Sequence, residues 1–274
     1  MTDVTSDAYD DDFLGIALPL PRPADGRAVR ELTYPRFTVL LDPVRRLAVA
    51  TGVNIDGALL QDPPRTGEWE LDSRIPTAEQ AGPAVYASND LDRGHLVRRR
   101  DPGWGSEDEA RKATEATFTY PNAAPQASGF NQSKELWLGL EDHVLEFADT
   151  TDERISVFTA PVLAADDPPY RGILVPRRFF KVAAWATPDD DGTPRLAAAG
   201  FVLDQSELID LSRDVLAVPE LGAFRTFQVR ISEIEELAGM DLGDLVDADV
   251  LATTTARGGG GWRPLRAAED VVLG

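Results

Sequence analysis

One stretch of this chain concentrates most of the chemistry its side chains could do. Leu91-Asp92-Arg93-Gly94-His95-Leu96-Val97-Arg98-Arg99-Arg100 places one of only two histidines among four arginines. Histidine suits proton transfer near neutral pH because its ordinary pKa is ~6.5. Arginine keeps its charge, and its planar fork matches two phosphate oxygens at once. The pairing describes a base set beside an anion clamp. A solvated basic turn around a core histidine would have the same composition, so the stretch alone leaves both readings open. Further polar residues follow in Tyr120-Pro121-Asn122-Ala123-Ala124-Pro125-Gln126, in Phe130-Asn131-Gln132 and in Trp137-Leu138-Gly139-Leu140-Glu141. Taken singly these are ordinary: amides beside prolines build turns, Asn131 suits a helix N-cap, and Glu141 suits a solvated helix face.

The elements that must position these residues are partly readable. Tyr34, Phe37, Val39 and Leu41, then Leu47 to Ala50 and Val53 to Ile55, read as a hairpin around the Asp42-Pro43 turn. Residues 61–82 read as a polar loop with one aromatic, Trp69. Ala84-Val85-Tyr86 reads as a short strand. Ser106 and Glu109 form a capping-box pattern that starts a helix running to about Thr117. Pro121 and Pro125 bracket a loop. Leu136, Leu140, Val144 and Phe147 mark an amphipathic helix from about Ser133 to Ala148. Ile155–Thr159, Phe179–Trp185 and Leu196–Leu203 read as strands, the last two joined at the Pro188–Gly192 turn. Gln205–Leu211 and Ser232–Ala238 read as short helices. The fold class is α+β, and no internal repeat or clean linker appears. Residues 1–30 read as a loose acidic, proline-rich leader, 31–256 as a single domain and 257–274 as a flexible glycine-rich tail.

Composition narrows the chemistry further. The 274 residues contain no cysteine, which removes disulfides, thiolate metal sites and cysteine nucleophiles. Two histidines, His95 and His143, are too few for a multi-histidine metal cage. Forty-seven acidic residues against 27 basic ones leave a net charge of −20. That balance argues against a nucleic-acid coat or a membrane-surface protein, but it leaves room for one basic cleft. Apolar runs fall far short of the ~20 residues needed to cross a bilayer. The acidic start has no secretory pattern, so a cytoplasmic location is expected, with non-classical export as the other route.

Read together, the motifs are more specific than any one of them. Asp-Arg-Gly-His, Asn-x-x-Pro-Gln, Asn-Gln and Trp-x-x-x-Glu follow one another within about fifty residues. In that order they resemble the DNA/RNA non-specific endonuclease family, to which secreted Serratia-type nucleases and mitochondrial endonuclease G belong. Arg65 ahead of Trp69 and Asp72 is similar to an arginine, aromatic and acid of that family. Ile155–Pro161 resembles its strand ending in Thr-Gly-Pro, here Thr159-Ala160-Pro161. Val175-Pro176-Arg177-Arg178-Phe179-Phe180-Lys181-Val182 resembles its Val-Pro-x-x-Phe-Phe-Lys-Val strand. The resemblance covers roughly residues 33–205. One departure matters: Trp137 and Glu141 lie two residues further from Asn131 than is usual. At ~100° per helical residue, the insertion must be absorbed within 132–136, or Glu141 points away and Glu135 becomes the weaker substitute.

The resemblance implies a mixed, mainly antiparallel central sheet flanked by helices and carrying a ββα-metal nuclease site. It implies Asn131 as the direct ligand of Mg²⁺, with Mn²⁺ as a substitute, and Glu141 holding metal-bound water. It implies His95 as general base, Arg93 and Arg65 as phosphate clamps, and Asp92, Asn122 and Gln126 as supporting residues. Substrates would be DNA and RNA, because every one of these groups addresses phosphate, metal or water and none reads a base edge. A homodimer is the common state of such relatives. An inhibitor protein is one way to restrain such an enzyme in its host. The alternative is a catalytically inactive module that keeps the fold and binds nucleic acid or phosphate.

Overall fold

The computed structural model describes residues 7–127, 148, 153–189, 191–209, 225–254, 261–265 and 270–273. Its strands, in chain order, are β1 (Arg22–Pro23), β2 (Arg30–Tyr34), β3 (Phe37–Asp42), β4 (Leu47–Asp56), β5 (Leu91–His95), β6 (Ala123–Ala127), β7 (Arg154–Val162), β8 (Pro169–Tyr170), β9 (Ile173–Leu174), β10 (Arg178–Pro188), β11 (Pro194–Asp204), β12 (Arg225–Val229), β13 (Met240–Asp241) and β14 (Arg263–Leu265). The described helices are α1 (Pro83–Tyr86), α2 (Glu107–Ala116), α3 (Ile231–Ala238) and α4 (Val250–Thr254). The class is α+β.

Eight strands make one sheet in the order β14-β12-β11-β10-β7-β4-β3-β2, each antiparallel to its neighbours. Alternation along β10 shows how the sequence builds two cores from one strand. Phe179, Ala183 and Trp185 face one layer, and Phe180, Val182 and Ala184 face the other. Both faces are covered, so the strand reads as a nearly unbroken apolar run. Lys181 interrupts it, buried, with Nζ donating to Thr159 Oγ1 at 2.9 Å.

The second layer, on the Phe180 face, is closed partly by α3 and partly by the chain's beginning. Tyr9, Phe13, Leu14 and Leu18 are buried there. Tyr9 Oη donates to the Leu18 carbonyl at 2.8 Å, and the Asp10 N–H donates to Asn54 Oδ1 at 2.7 Å. Residues 7–30 therefore pack more tightly than their composition suggests, because four large apolar side chains outweigh the aspartates and prolines between them. β14, in the stretch expected to be loose, pairs with β12.

The layer on the Phe179 face receives Leu96, Val97, Ala124 and Ala127. These residues come from the segments that carry the functional motifs, so the sheet itself is their platform. A third apolar cluster, including Tyr86, Leu91, Tyr120, Ala123 and Val175, lies under the same segments.

Two local expectations are corrected. Ala84–Tyr86 is not a strand but the single helical turn of α1, begun by Pro83, whose fixed φ suits a first helical position. The Pro121–Pro125 segment is not a loop throughout, since β6 starts at Ala123. The expected α2 forms, with the Ser106 N–H donating to Glu109 Oε2 at 3.0 Å. The helix expected over 133–148 lies outside the described residues except for Ala148.

Candidate active site

β5 and β6 form a two-stranded antiparallel ribbon that brings two distant motifs into register. Asp92 faces Gln126, Arg93 faces Pro125, Gly94 faces Ala124, and His95 faces Ala123. Alternation puts Arg93 and His95 on one side of the ribbon and Asp92, Gly94 and Gln126 on the other. Pro125 fits despite lacking an N–H. Its carbonyl accepts from Gln205 Nε2 at 3.2 Å, so its backbone polar groups point away from β5 and no ladder bond is lost. Gln205 also accepts from the Ala127 N–H at 3.0 Å and donates to the Pro176 carbonyl at 2.7 Å. One fully buried amide thus caps the outer edge of β6 and ties it to the strand-leading loop before β10. No sequence pattern singled out Gln205.

Gly94 has a packing role visible only in three dimensions. A Cβ there would lie 2.1 Å from Cδ and Oε1 of Gln126, which is itself buried. The Gln126 side chain has nowhere to retreat. Gly94→Ala is expected to destabilise the fold by about 1–3 kcal/mol through overpacking. Adding Gln126→Ala should recover part of that loss, so the double variant melts above the sum of the singles. Simple additivity in thermal or urea unfolding would contradict the contact.

His95 sits in an aromatic box. Its ring centroid lies 4.5 Å from Trp69 with planes at 46°, and 4.9 Å from Phe118 with planes at 89°. The ring is half-buried, and Nε2 is shielded with no hydrogen-bond partner. Arg93 lies over Trp69 with Cζ 5.7 Å from the ring centroid, and Arg65 lies over Phe118 at 5.4 Å. Both arginines are exposed, so the cations form the outer rim and the imidazole the floor. Burial, and then the charges of Arg65, Arg99 and Arg93, push the His95 pKa down from 6.5 to about 3.

The segment carrying Arg65 and Trp69 reads as a loop in sequence, yet it is anchored at several points. The Glu70 N–H donates to the Phe118 carbonyl at 3.0 Å, and the Tyr120 N–H donates to the Glu70 carbonyl at 2.9 Å. Thr66 Oγ1 donates to Glu115 Oε1 at 2.7 Å. A Cβ on Gly67 would meet the Phe118 ring at 2.1 Å, so glycine lets the segment close on that ring. Arg99 donates to the Pro63 carbonyl at 2.8 Å and to Asp62 at 3.1 Å, and Arg100 lies 3.6 Å from Asp62. These two arginines brace the segment instead of standing in the rim, which corrects the reading of the whole basic run as a phosphate clamp. Asp72 is likewise structural. Burial works against its charge, but bonds from Arg74 and Tyr34 outweigh that and hold its carboxyl below the usual range.

Asn122 is fully buried behind the ribbon. Its Oδ1 accepts from the Val97 N–H at 2.9 Å, and its Nδ2 donates to the carbonyls of Val97 at 2.9 Å and Thr117 at 3.0 Å. Among the described residues, no three His, Asp or Glu side chains converge as a cation cage. The Asn122 amide is already spent on backbone, and Gln126 is on the reverse face. The described donors therefore do not make a metal site by themselves. Asn131, Trp137, Glu141 and Glu135 lie outside the described residues. The structure thus gathers His95, Arg93 and Arg65 on one side, and sets Asp92, Gln126 and Asn122 behind them. Phe118 escaped the sequence reading because an aromatic in a Thr-Phe-Thr-Tyr run looks like any core residue.

Comparison with known proteins is consistent with this architecture. The chain is 36% identical over 289 residues to the uncharacterized protein y4fB of Sinorhizobium fredii (strain NBRC 101917 / NGR234), a match covering 97% of this chain. The chain spans 42% of the length of that relative. Among solved structures, the EndoG/EndoGI complex, described as showing the mechanism of EndoG inhibition, matches with a TM-score of 0.57 and 20% identity. That match covers 78% of this chain and 86% of the other, a likeness of fold. The family model for DNA/RNA non-specific endonucleases matches residues 22–249, and the chain belongs to that family.

Proposed function

We propose that this protein is a metal-dependent endonuclease that hydrolyses phosphodiester bonds in DNA and RNA without sequence preference. The observation that carries the reading is the grouping of a half-buried imidazole with two exposed guanidinium groups in a chain whose net charge is −20. A phosphodiester bound at the rim would place its non-bridging oxygens on Arg93 and Arg65. With Nε2 shielded, Nδ1 is the His95 nitrogen that can meet a water molecule. His95 takes one proton from that water, the water oxygen bonds to phosphorus, and the bond from phosphorus to the leaving 3′ oxygen breaks. Asp92, Gln126 and Asn122 hold the ribbon. Asn131, with Glu141 through water, would hold Mg²⁺, or Mn²⁺ in its place. Such an ion stabilises the charge that builds at phosphorus.

The depressed His95 pKa has a consequence with a definite sign. The neutral imidazole is the base, and a pKa of about 3 keeps it neutral through the range where an exposed histidine would protonate. The acid limb of kcat/KM, which reports the free enzyme, should therefore fall below pH 6.5. A limb centred at 6.5 or above in a pH series would contradict the box as drawn. Bound phosphate offsets the three arginine charges, so the limb of kcat should sit higher than that of kcat/KM.

The activity is tested by incubating supercoiled plasmid and total RNA with the protein and Mg²⁺, and then with EDTA. Cutting of both that stops on chelation is the expected result. A protein that binds both polymers but cuts neither, over a range of metals and salt, would favour the inactive binding module. An inhibitor protein and a homodimer are further expectations of this reading, testable by co-purification and by light scattering.

A further inference from the structure

The shielded Nε2 of His95 poses a problem that its surroundings can answer. A buried ring nitrogen without a partner is costly whether it carries a proton or a lone pair. No carboxylate or carbonyl among the described residues takes the role of orienting this ring. Its neighbours are instead two π-systems set at different angles, Phe118 edge-to-face at 89° and Trp69 tilted at 46°. The face of an aromatic ring is electronegative and its edge electropositive. A lone pair pressed into such a box is repelled, whereas an N–H is attracted as a weak hydrogen bond to the π-cloud. Two walls at different angles also limit rotation of the imidazole.

We propose that Phe118 and Trp69 are positioning residues that hold His95 as the Nε2–H tautomer, leaving the Nδ1 lone pair free for proton transfer. In this arrangement the aromatic faces replace the carboxylate that orients many catalytic histidines. Gly67 belongs to the same device, since its missing side chain is what lets the segment bearing Trp69 close over Phe118. The proposal rests on His95 serving as the base, but its main signature is a property of the resting protein.

The chain has only His95 and His143, so imidazole nitrogens can be assigned by long-range ¹H–¹⁵N correlation with a His143→Gln control. At pH 7.5 the wild type should show His95 as one tautomer, Nε2–H. Phe118→Leu keeps an apolar side chain but removes the π-face, and should raise the Nδ1–H share by about two- to fivefold. Phe118→Tyr restores a π-face and should restore the wild-type signal. Trp69→Leu and Trp69→Phe repeat the contrast at a half-buried position, where unfolding is less of a concern. In parallel, kcat should fall in the leucine variants while KM holds. An Nδ1–H tautomer in the wild type, or leucine variants with an unchanged tautomer, would overturn the proposal. Absence of nuclease activity in a wild type with the expected tautomer would count against the enzyme reading and not against the box.

Discussion

His95→Ala is expected to slow plasmid nicking in Mg²⁺ by on the order of 10²–10⁴-fold, the usual contribution of a positioned general base. Affinity for uncut DNA should change little. Binding comes from cations on phosphate, and Arg65 and Arg93 stand on Phe118 and Trp69 and make no contact with the imidazole itself. Removing the ring does open a space between Trp69 and Phe118, so the variant is best read beside His95→Gln, which fills more of it. If both variants lose rate and keep binding, proton transfer is the missing function. If both cut as fast as wild type, the activity is a contaminant or the base lies elsewhere.

The sequence made the site more legible than its supports, for a physical reason. Arg93 and His95 sit two apart on one strand, so period-two alternation alone puts them on the same side. Their partner strand was hidden by Pro125. A proline normally speaks against a strand, and only the outward-facing carbonyl that Gln205 binds explains why it is tolerated here. The basic run was misread in part because charge counts do not reveal partners. Arg99 and Arg100 look equivalent to Arg93 until Asp62, more than thirty residues away, is brought against them. The leader was misread for the opposite reason. Its composition is that of a solvated segment, but Tyr9, Phe13, Leu14 and Leu18 find a sheet face that local sequence cannot foresee. Long-range packing decided each of these cases, and local propensity decided the ones that held, such as the Ser106–Glu109 cap and the turn at Pro188–Gly192.

Charge distribution links fold and function. A chain at −20 repels nucleic acid over its outer surface, and exposed charges more than ~8–10 Å apart are screened at physiological salt. The rim of Arg65 and Arg93 can therefore act locally. Because Arg99 and Arg100 are held by Asp62, their charges contribute to the field at His95 without competing for a phosphate contact. The same bracing fixes the segment that carries Arg65 and Trp69. Structure and electrostatics at this site are thus supplied by the same few residues.

Asn122→Ala should have the largest effect on stability of any single change near the site. Truncation removes three hydrogen bonds and leaves the Val97 N–H, the Val97 carbonyl and the Thr117 carbonyl in a fully buried position. At about 1–3 kcal/mol for each unsatisfied group, a loss of about 4 kcal/mol is expected after partial relaxation. For a domain of this size that corresponds to a melting point lower by about 10 °C. The consequence reaches the chemistry, because Asn122 joins the residue two beyond His95 to the residue just before Phe118. Asn122→Asp separates the bonds from the shape. It keeps an acceptor for the Val97 N–H but turns its second oxygen toward two carbonyls, which disfavours the charged carboxylate and raises its folded-state pKa. A raised pKa means stability that is present below the unfolded value of ~3.9 and lost as pH rises above it. Asn122→Asp should therefore approach the wild type in acid and fall away toward neutral pH, whereas the alanine deficit should stay nearly constant. Equal pH dependence for the two variants would show that the amide fills space there and does not bind the backbone.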